Sequence, residues 1–432
     1  MDKHKEHFLD IHLNPNVSGL KPSATVAIND LSNELKRQGR EIFKLGLGQS
    51  PFPVPEPVVL ALQENAYQKD YLPVKGLRDL QEAVAEHHRR TFGIDAEPAD
   101  VLIGPGSKEL MFLLQLTYFG DLVIPTPSWV SYAPQAKIIG RHINLMPTAF
   151  ENDWHFTAEE LEKLCNMDKN RPRLLILNYP LNPTGTSMSK GRLKALAEVA
   201  DKNRVILLSD EIYGKIHHEG KHESIVPFYP EGTIFSGGLS KWCGAGGWRL
   251  GVFVFPKSLR WLLNAMAAVG TETFTSTSAP IQYAAVRAFQ EGPEIDEYLK
   301  KSRRIVKALG STISRKLDET GVKIRYPHGG FYIFPDFSPF REKLQRRNIH
   351  NSVDMCSRLL EDTGVAVIPG IEFGRKPEEL AARIAYVDFN GKAALDAVAS
   401  IPESQPISEE FLKTYCGKVI KAIDRMCDWV KT

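Results

Sequence analysis

Short apolar runs alternate with longer helix-period stretches through the middle of this chain, a rhythm that predicts an α/β fold on a mostly parallel sheet flanked by helices. Strands are expected at 101–103, 122–124, 174–177, 205–208, 233–235 and 252–255. Helical spacing marks 108–117 and 190–202, the latter with Ser189 as N-cap. Beyond about residue 290 the character changes. A long charged helix over 294–319 leads to short strands expected at 322–326, 330–334, 365–368 and 383–386, which predicts a smaller α+β domain. In the tail, Phe411, Tyr415, Val419, Ile423, Met426 and Val430 share one helical face. The expected division is an N-terminal arm with part of the small domain over 1–50, a large domain over 51–300 and a small C-terminal domain over 301–432.

Composition narrows the function classes. The chain has 432 residues, 43% hydrophobic and 25% charged, which exceeds one simple core and suggests several lobes. A net charge of +2 is too balanced for a nucleic-acid or anionic-membrane partner. No apolar run approaches a membrane span, and the opening MDKHKEHFLDIHLNPN has no apolar leader pattern. Five cysteines without CxxC spacing suggest neither a disulfide framework nor a zinc site, and no histidine pattern calls for a metal. The expectation is a cytoplasmic protein.

Unusual polar residues fall just beyond the expected strands. RLLILN leads to Asn182, RVILLS to Asp210 and then Tyr213, and TIFSGG to Lys241, about thirty residues apart. Ligands of open α/β sheets bind outside the carboxyl ends of the strands, so an amide, a carboxylate, a phenol and an amine should meet in one crevice. In VLIGPGSKEL, the turn at Gly106, Ser107 and Lys108 opens a helix and offers backbone N–H groups to an anion. Arg249, between Gly247 and Gly251, could grip the same anion. A dinucleotide fits poorly, because the glycines at 244–249 fail GxGxxG and follow the lysine. Pyridoxal 5′-phosphate has an aldehyde, a ring nitrogen, a ring hydroxyl and a phosphate, one for each group.

Asn182-Pro183-Thr184-Gly185, Asp210-Glu211-Ile212-Tyr213, Ser240-Lys241 and Gly247-Trp248-Arg249-Leu250-Gly251 together resemble the class I, fold-type I pyridoxal-phosphate-dependent aminotransferases. LKPSATVAIND, YLPVKGLRDL, TPSWVSY, VAVIPG and Arg383-Ile384 follow in family order. The resemblance implies that Lys241 binds the cofactor aldehyde and moves the substrate α-proton. It implies that Asp210 faces the ring nitrogen, that Tyr213 and Asn182 reach the ring oxygen, and that Trp129 stacks on the ring. Gly106, Ser107, Lys108 and Arg249 would hold the phosphate, Arg383 the substrate α-carboxylate, and Gly48 would let that carboxylate approach the backbone. Tyr71 would reach the phosphate of a neighbouring subunit, which implies a homodimer with shared sites.

The chain departs from the family in places. Gly238 stands three residues before the lysine, where many members carry Ser or Thr, and Ser236 is the candidate to compensate. GQSPF replaces GEPDF near Gly48, and about fifteen extra residues around 388–406 follow Arg383. For specificity, Lys108, with Ser23 and Thr25, matches a bacterial aspartate-type branch that binds a distal carboxylate, with 2-oxoglutarate as acceptor. Against this, Phe274 aligns with a partner-subunit arginine of another branch and would suit aromatic or neutral substrates. A C–S lyase of the same fold and a non-catalytic pyridoxal-phosphate-binding regulator are the rival readings.

Overall fold

The computed structural model describes residues 12–432; the first part of the polar opening, 1–11, lies outside them. After a two-residue strand β1 (Phe43–Lys44) the chain builds its central sheet. The strands are β2 (Val101–Gly104), β3 (Asp121–Thr126), β4 (Ile143–Pro147), β5 (Arg173–Asn178), β6 (Ile206–Asp210), β7 (Thr233–Gly238) and β8 (Gly251–Val254). Their order is β2-β8-β7-β6-β5-β3-β4. β2, β5 and β8 are buried along their whole length, which is why they read as unbroken apolar runs. Each strand expected in this sheet forms. β4 went unread because it is an edge strand, half-buried or exposed throughout, with no apolar run to announce it.

Every pairing in this sheet is parallel except the two that β8 makes, with β7 and with β2. β8 therefore begins at the edge where its neighbours end. Register sets Gly104, Gly251 and Gly238 side by side, and likewise Asn178, Asp210 and Ser236. The helix Lys190–Lys202 starts where expected, with the Ser189 hydroxyl accepting from the Arg192 amide at 3.4 Å.

The long charged helix runs Pro293–Thr320 and buries Leu299, Ile305, Leu309, Ile313 and Leu317 on one face. Beyond it lie β9 (Tyr332–Ile333), β10 (Val365–Ala366), β11 (Ile368–Pro369) and β12 (Ala382–Ala385). β11, β12 and β9 form an antiparallel sheet, and β10 pairs in parallel with β1, so both ends of the chain build this lobe. The strand expected at 322–326 does not form. Only Lys323 bridges to Asp336, and Pro335 beside it has no N–H with which to extend the ladder. The run at 365–368 is shared between two sheets instead of forming one strand. In the tail, a non-helical Cys416 (φ −118°, ψ 17°) divides Glu409–Tyr415 from Gly417–Lys431, while the apolar face packs inward as expected.

The extra segment has a packing role. Phe389 meets Phe52 edge to face at 5.9 Å, and Asp388 accepts from the Lys44 amide at 2.9 Å. Arg304, on the long helix, holds the carbonyls of Ile401, Pro402 and Gln405 at 2.9–3.0 Å. The insertion thereby ties the GQSPF loop to the small lobe.

Candidate active site

A cavity of about 600 Å³ opens at the carboxyl edge of the central sheet and gathers residues from both lobes. Asp210, the last residue of β6, is almost wholly buried. Its Oδ2 accepts from the Tyr132 hydroxyl at 2.5 Å and its Oδ1 from Ser236 at 3.4 Å. These are neutral donors, and burial pushes the Asp210 carboxyl up to about 6. A carboxylate so placed lacks only a counter-charge, which a protonated ring nitrogen would supply.

Beyond β7, Lys241 donates from Nζ to the Gly48 carbonyl at 2.7 Å and lies 5.7 Å from the centre of the Tyr213 ring. The reversed β8 brings Arg249 to the same edge. Its guanidinium lies over Gly106, at the start of the helix Ser107–Thr117, whose first N–H groups have no intrahelical partners. Ser240 also lines the cavity. Ser236 does not: it points at Asp210 from beneath, so it cannot stand in for the hydroxyl missing at Gly238. Nor can Gly238 itself be restored cheaply, since a Cβ there would lie 2.7 Å from the Leu250 carbonyl oxygen and 3.1 Å from the Gly251 Cα. Gly238→Ser is therefore expected to lower the unfolding free energy by about 1–3 kcal/mol, read from the denaturant midpoint at unchanged slope.

Across the cavity, Asn182 donates from Nδ2 to Tyr213 Oη at 3.5 Å and accepts on Oδ1 from Arg383 Nη1 at 3.0 Å. Arg383, on β12, is fully buried between the rings of Tyr332 (4.8 Å) and Phe373 (5.0 Å). Its other terminal nitrogen donates to the Gly46 carbonyl, and its Nε has no partner. A Cβ on Gly48 would run into the Tyr332 hydroxyl, so only glycine lets this backbone pass. Trp129 is half-buried on the wall, its ring 5.3 Å from that of Tyr132. Lys108 sits at the mouth with Nζ 5.1 Å from the Trp129 ring centre, and Ser23 and Thr25 line the same cavity.

Besides Ser236, Tyr71 and Phe274 lie away from this cavity. Tyr71 is 88% exposed, and Phe274 packs half-buried in the core of the large lobe. Polar groups at the site that sequence reasoning missed include Asn178, Ser240 and Tyr332, which line the cavity, and Tyr132, which lies outside its lining and donates to Asp210. Ser240 and Tyr132 lie in stretches singled out for their neighbours Lys241 and Trp129, whereas nothing local marks Tyr332. Cys243, beside the lysine, is a core residue whose thiol burial pushes up to about 12, so it stays protonated.

A ligand that uses all of these groups at once carries an aldehyde, a phosphate and a basic ring nitrogen, and pyridoxal 5′-phosphate is built that way. Fold and crevice together define a pyridoxal-phosphate-dependent enzyme of fold type I. The family model "Aminotransferase class I and II" matches residues 40–389. An aspartate aminotransferase of Bacillus sp. (strain YM-2) is 32% identical over 368 residues, covering 83% of this chain and 91% of its own. A probable aspartate/prephenate aminotransferase of Thermus aquaticus is 33% identical over 366 residues, covering 84% and 92%. The structure of the Thermus thermophilus aspartate aminotransferase with maleate superposes at a TM-score of 0.82 with 29% identity, covering 97% of this chain and all of the other. The chain belongs to the class I and II aminotransferase family, and it is a pyridoxal-phosphate-dependent aminotransferase.

Among the described residues no helix is long and apolar enough to cross a membrane, and no cluster of His, Cys, Asp and Glu could hold a metal.

Proposed function

We propose that this aminotransferase takes its amino group from an acidic amino acid, aspartate foremost, and passes it to 2-oxoglutarate. The observation that carries the proposal is Lys108. It shares the cavity with Lys241, Arg249 and Arg383, and among the described residues no carboxylate pairs with it. Arg249 is assigned to the phosphate and Arg383 to the α-carboxylate, which leaves the Lys108 ammonium for a second carboxylate. Ser23 and Thr25 line the same cavity and offer hydroxyl donors. The relatives named above are aspartate or aspartate/prephenate enzymes, and the Thermus thermophilus structure carries maleate, a dicarboxylate.

The bound cofactor supplies a reactive aldehyde and a sink for the electrons of the substrate Cα. Lys241 would hold the aldehyde end of the cofactor and serve as the base for the substrate α-proton. Asp210 would face the ring nitrogen as its counter-charge, and Tyr132 holds the Asp210 carboxylate in place. Tyr213 and Asn182 would donate to the ring oxygen, and Trp129 would supply an apolar wall for the ring. Gly106, Ser107, Ser240 and Arg249 would take the phosphate, with Lys108 at the rim. Arg383 grips the α-carboxylate with donors that its buried guanidinium leaves unfilled, and Gly48 gives it room. Tyr71, exposed in the single chain, completes the phosphate cup of the neighbouring subunit in a homodimer. All five cysteines are free and buried, which supports a cytoplasmic setting.

A donor panel against 2-oxoglutarate tests the specificity. Lys108→Ala is expected to raise KM for aspartate and glutamate about 10–100-fold, the worth of a charge-assisted hydrogen bond, and to leave alanine and aromatic donors unchanged. Equal turnover of acidic donors by variant and wild type rejects the assignment of Lys108. Release of ammonia and pyruvate without a 2-oxo acid acceptor would mark an eliminating enzyme instead.

A further inference from the structure

β9 pairs with β12 so that Tyr332 lies opposite Ala385, close to Arg383. Its hydroxyl is buried within reach of two oxygens, Tyr213 Oη at 3.0 Å and the Gly48 carbonyl at 3.4 Å. A phenol has one proton to give. The Gly48 carbonyl already accepts from Lys241 at 2.7 Å, whereas the closer Tyr213 oxygen has only a long contact from Asn182, at 3.5 Å. If Tyr213 spent its own proton on Tyr332, it would have none for a ligand in the cavity.

We infer that Tyr332 is a positioning residue: its hydroxyl donates to Tyr213 and so frees the Tyr213 proton for the cofactor's ring oxygen. The inference rests on the role proposed above for Tyr213. A donor on the Tyr213 oxygen polarises its O–H bond and makes it a stronger donor in turn. Burial holds the Tyr213 phenol well above its usual range, so it keeps the proton it must donate. Gly48 pins the arrangement, because any larger residue would collide with the Tyr332 hydroxyl. The ring has a separate task beneath the Arg383 guanidinium.

The readout is the pH midpoint of the visible band of the lysine-bound cofactor. A donor on the ring oxygen favours its anionic form and so eases proton loss from the amine–aldehyde link. Weakening that donor raises the midpoint. Tyr332→Phe should raise it by about half a pH unit with KM within about twofold of wild type. Tyr332→Leu, which also removes the ring under Arg383, should show the same shift plus a raised KM for the amino donor. Tyr213→Phe should shift the midpoint further, and the double variant Tyr213→Phe/Tyr332→Phe should match Tyr213→Phe alone. An unmoved or lowered midpoint in Tyr332→Phe, or additive shifts in the double variant, overturns the inference while the Tyr213 assignment stands. An unmoved midpoint in Tyr213→Phe overturns that assignment, and this inference with it.

Discussion

Lys241→Ala should reduce transamination by about 10⁴-fold or more, because the role proposed for this residue has it both hold the cofactor and carry the proton. The variant should still bind the cofactor, since the Arg249 cup and Asp210 remain, but without a covalent link. Borohydride treatment of the wild type should fix the cofactor on the peptide containing Lys241, and mass analysis of the variant should find no such adduct. Residual activity within tenfold of wild type would show that another amine does the chemistry. The other amine in the cavity is Lys108, whose Nζ lies over the Trp129 ring, while Lys215 is tied to Glu291 and lies against Trp242.

Asp210→Asn is expected to act in opposite directions with and without cofactor. In the cofactor-free protein, burial raises the carboxyl to about 6 against 3.8 for the free group, so the folded state binds a proton that the unfolded state has released. Stability is therefore greatest below about pH 4 and is lost as pH rises towards 6. Above that, the ionised carboxylate costs at most about 3 kcal/mol. Asn carries no such charge. The cofactor-free variant should be the more stable protein at pH 7.5 in denaturant titrations, and its advantage should vanish near pH 4. With cofactor bound the order should reverse, because a protonated ring nitrogen then faces a neutral amide. A loss of about 3–4 kcal/mol of transition-state stabilisation corresponds to a fall of roughly 10²–10³-fold in kcat/KM. Equal stability of the two cofactor-free proteins across this pH range would mean that Asp210 is solvated or paired in a way the geometry does not show.

Both effects concern residues that the chain announces locally. Lys241 stands among glycines beyond an apolar strand, and Asp210 closes another, so alternation of strand and helix was enough to place them on one edge. The helix-opening turn at Gly106–Ser107 was legible for the same reason: strand, glycines and helix start lie within a few residues. Ser236 misled because adjacency along β7 says nothing about which side of the sheet a hydroxyl faces relative to the crevice. Tyr332 was invisible for a different reason. It comes from the small lobe, 119 residues from Tyr213 and 284 from Gly48, and only the docking of β9 on β12 brings those groups together. The strand lost at 322–326 and the helix broken at Cys416 failed similarly, since a missing partner donor and a local break are settled by packing against neighbours.

By itself the sequence determined the α/β rhythm, the strand-end groups Asn182, Asp210 and Lys241, the helix-opening turn and, through them, the cofactor. Each of these depends on contacts within one βα unit, where pattern and chemistry are written side by side. The tertiary structure decided that β8 runs backwards and so delivers Arg249 to the cup, that Gly238 has no space for a hydroxyl-bearing side chain, that Tyr132 anchors Asp210, and that Tyr332 stands between Tyr213 and Gly48. Those are relations between distant segments, and they exist only once the two lobes bury their apolar faces and close the crevice between them.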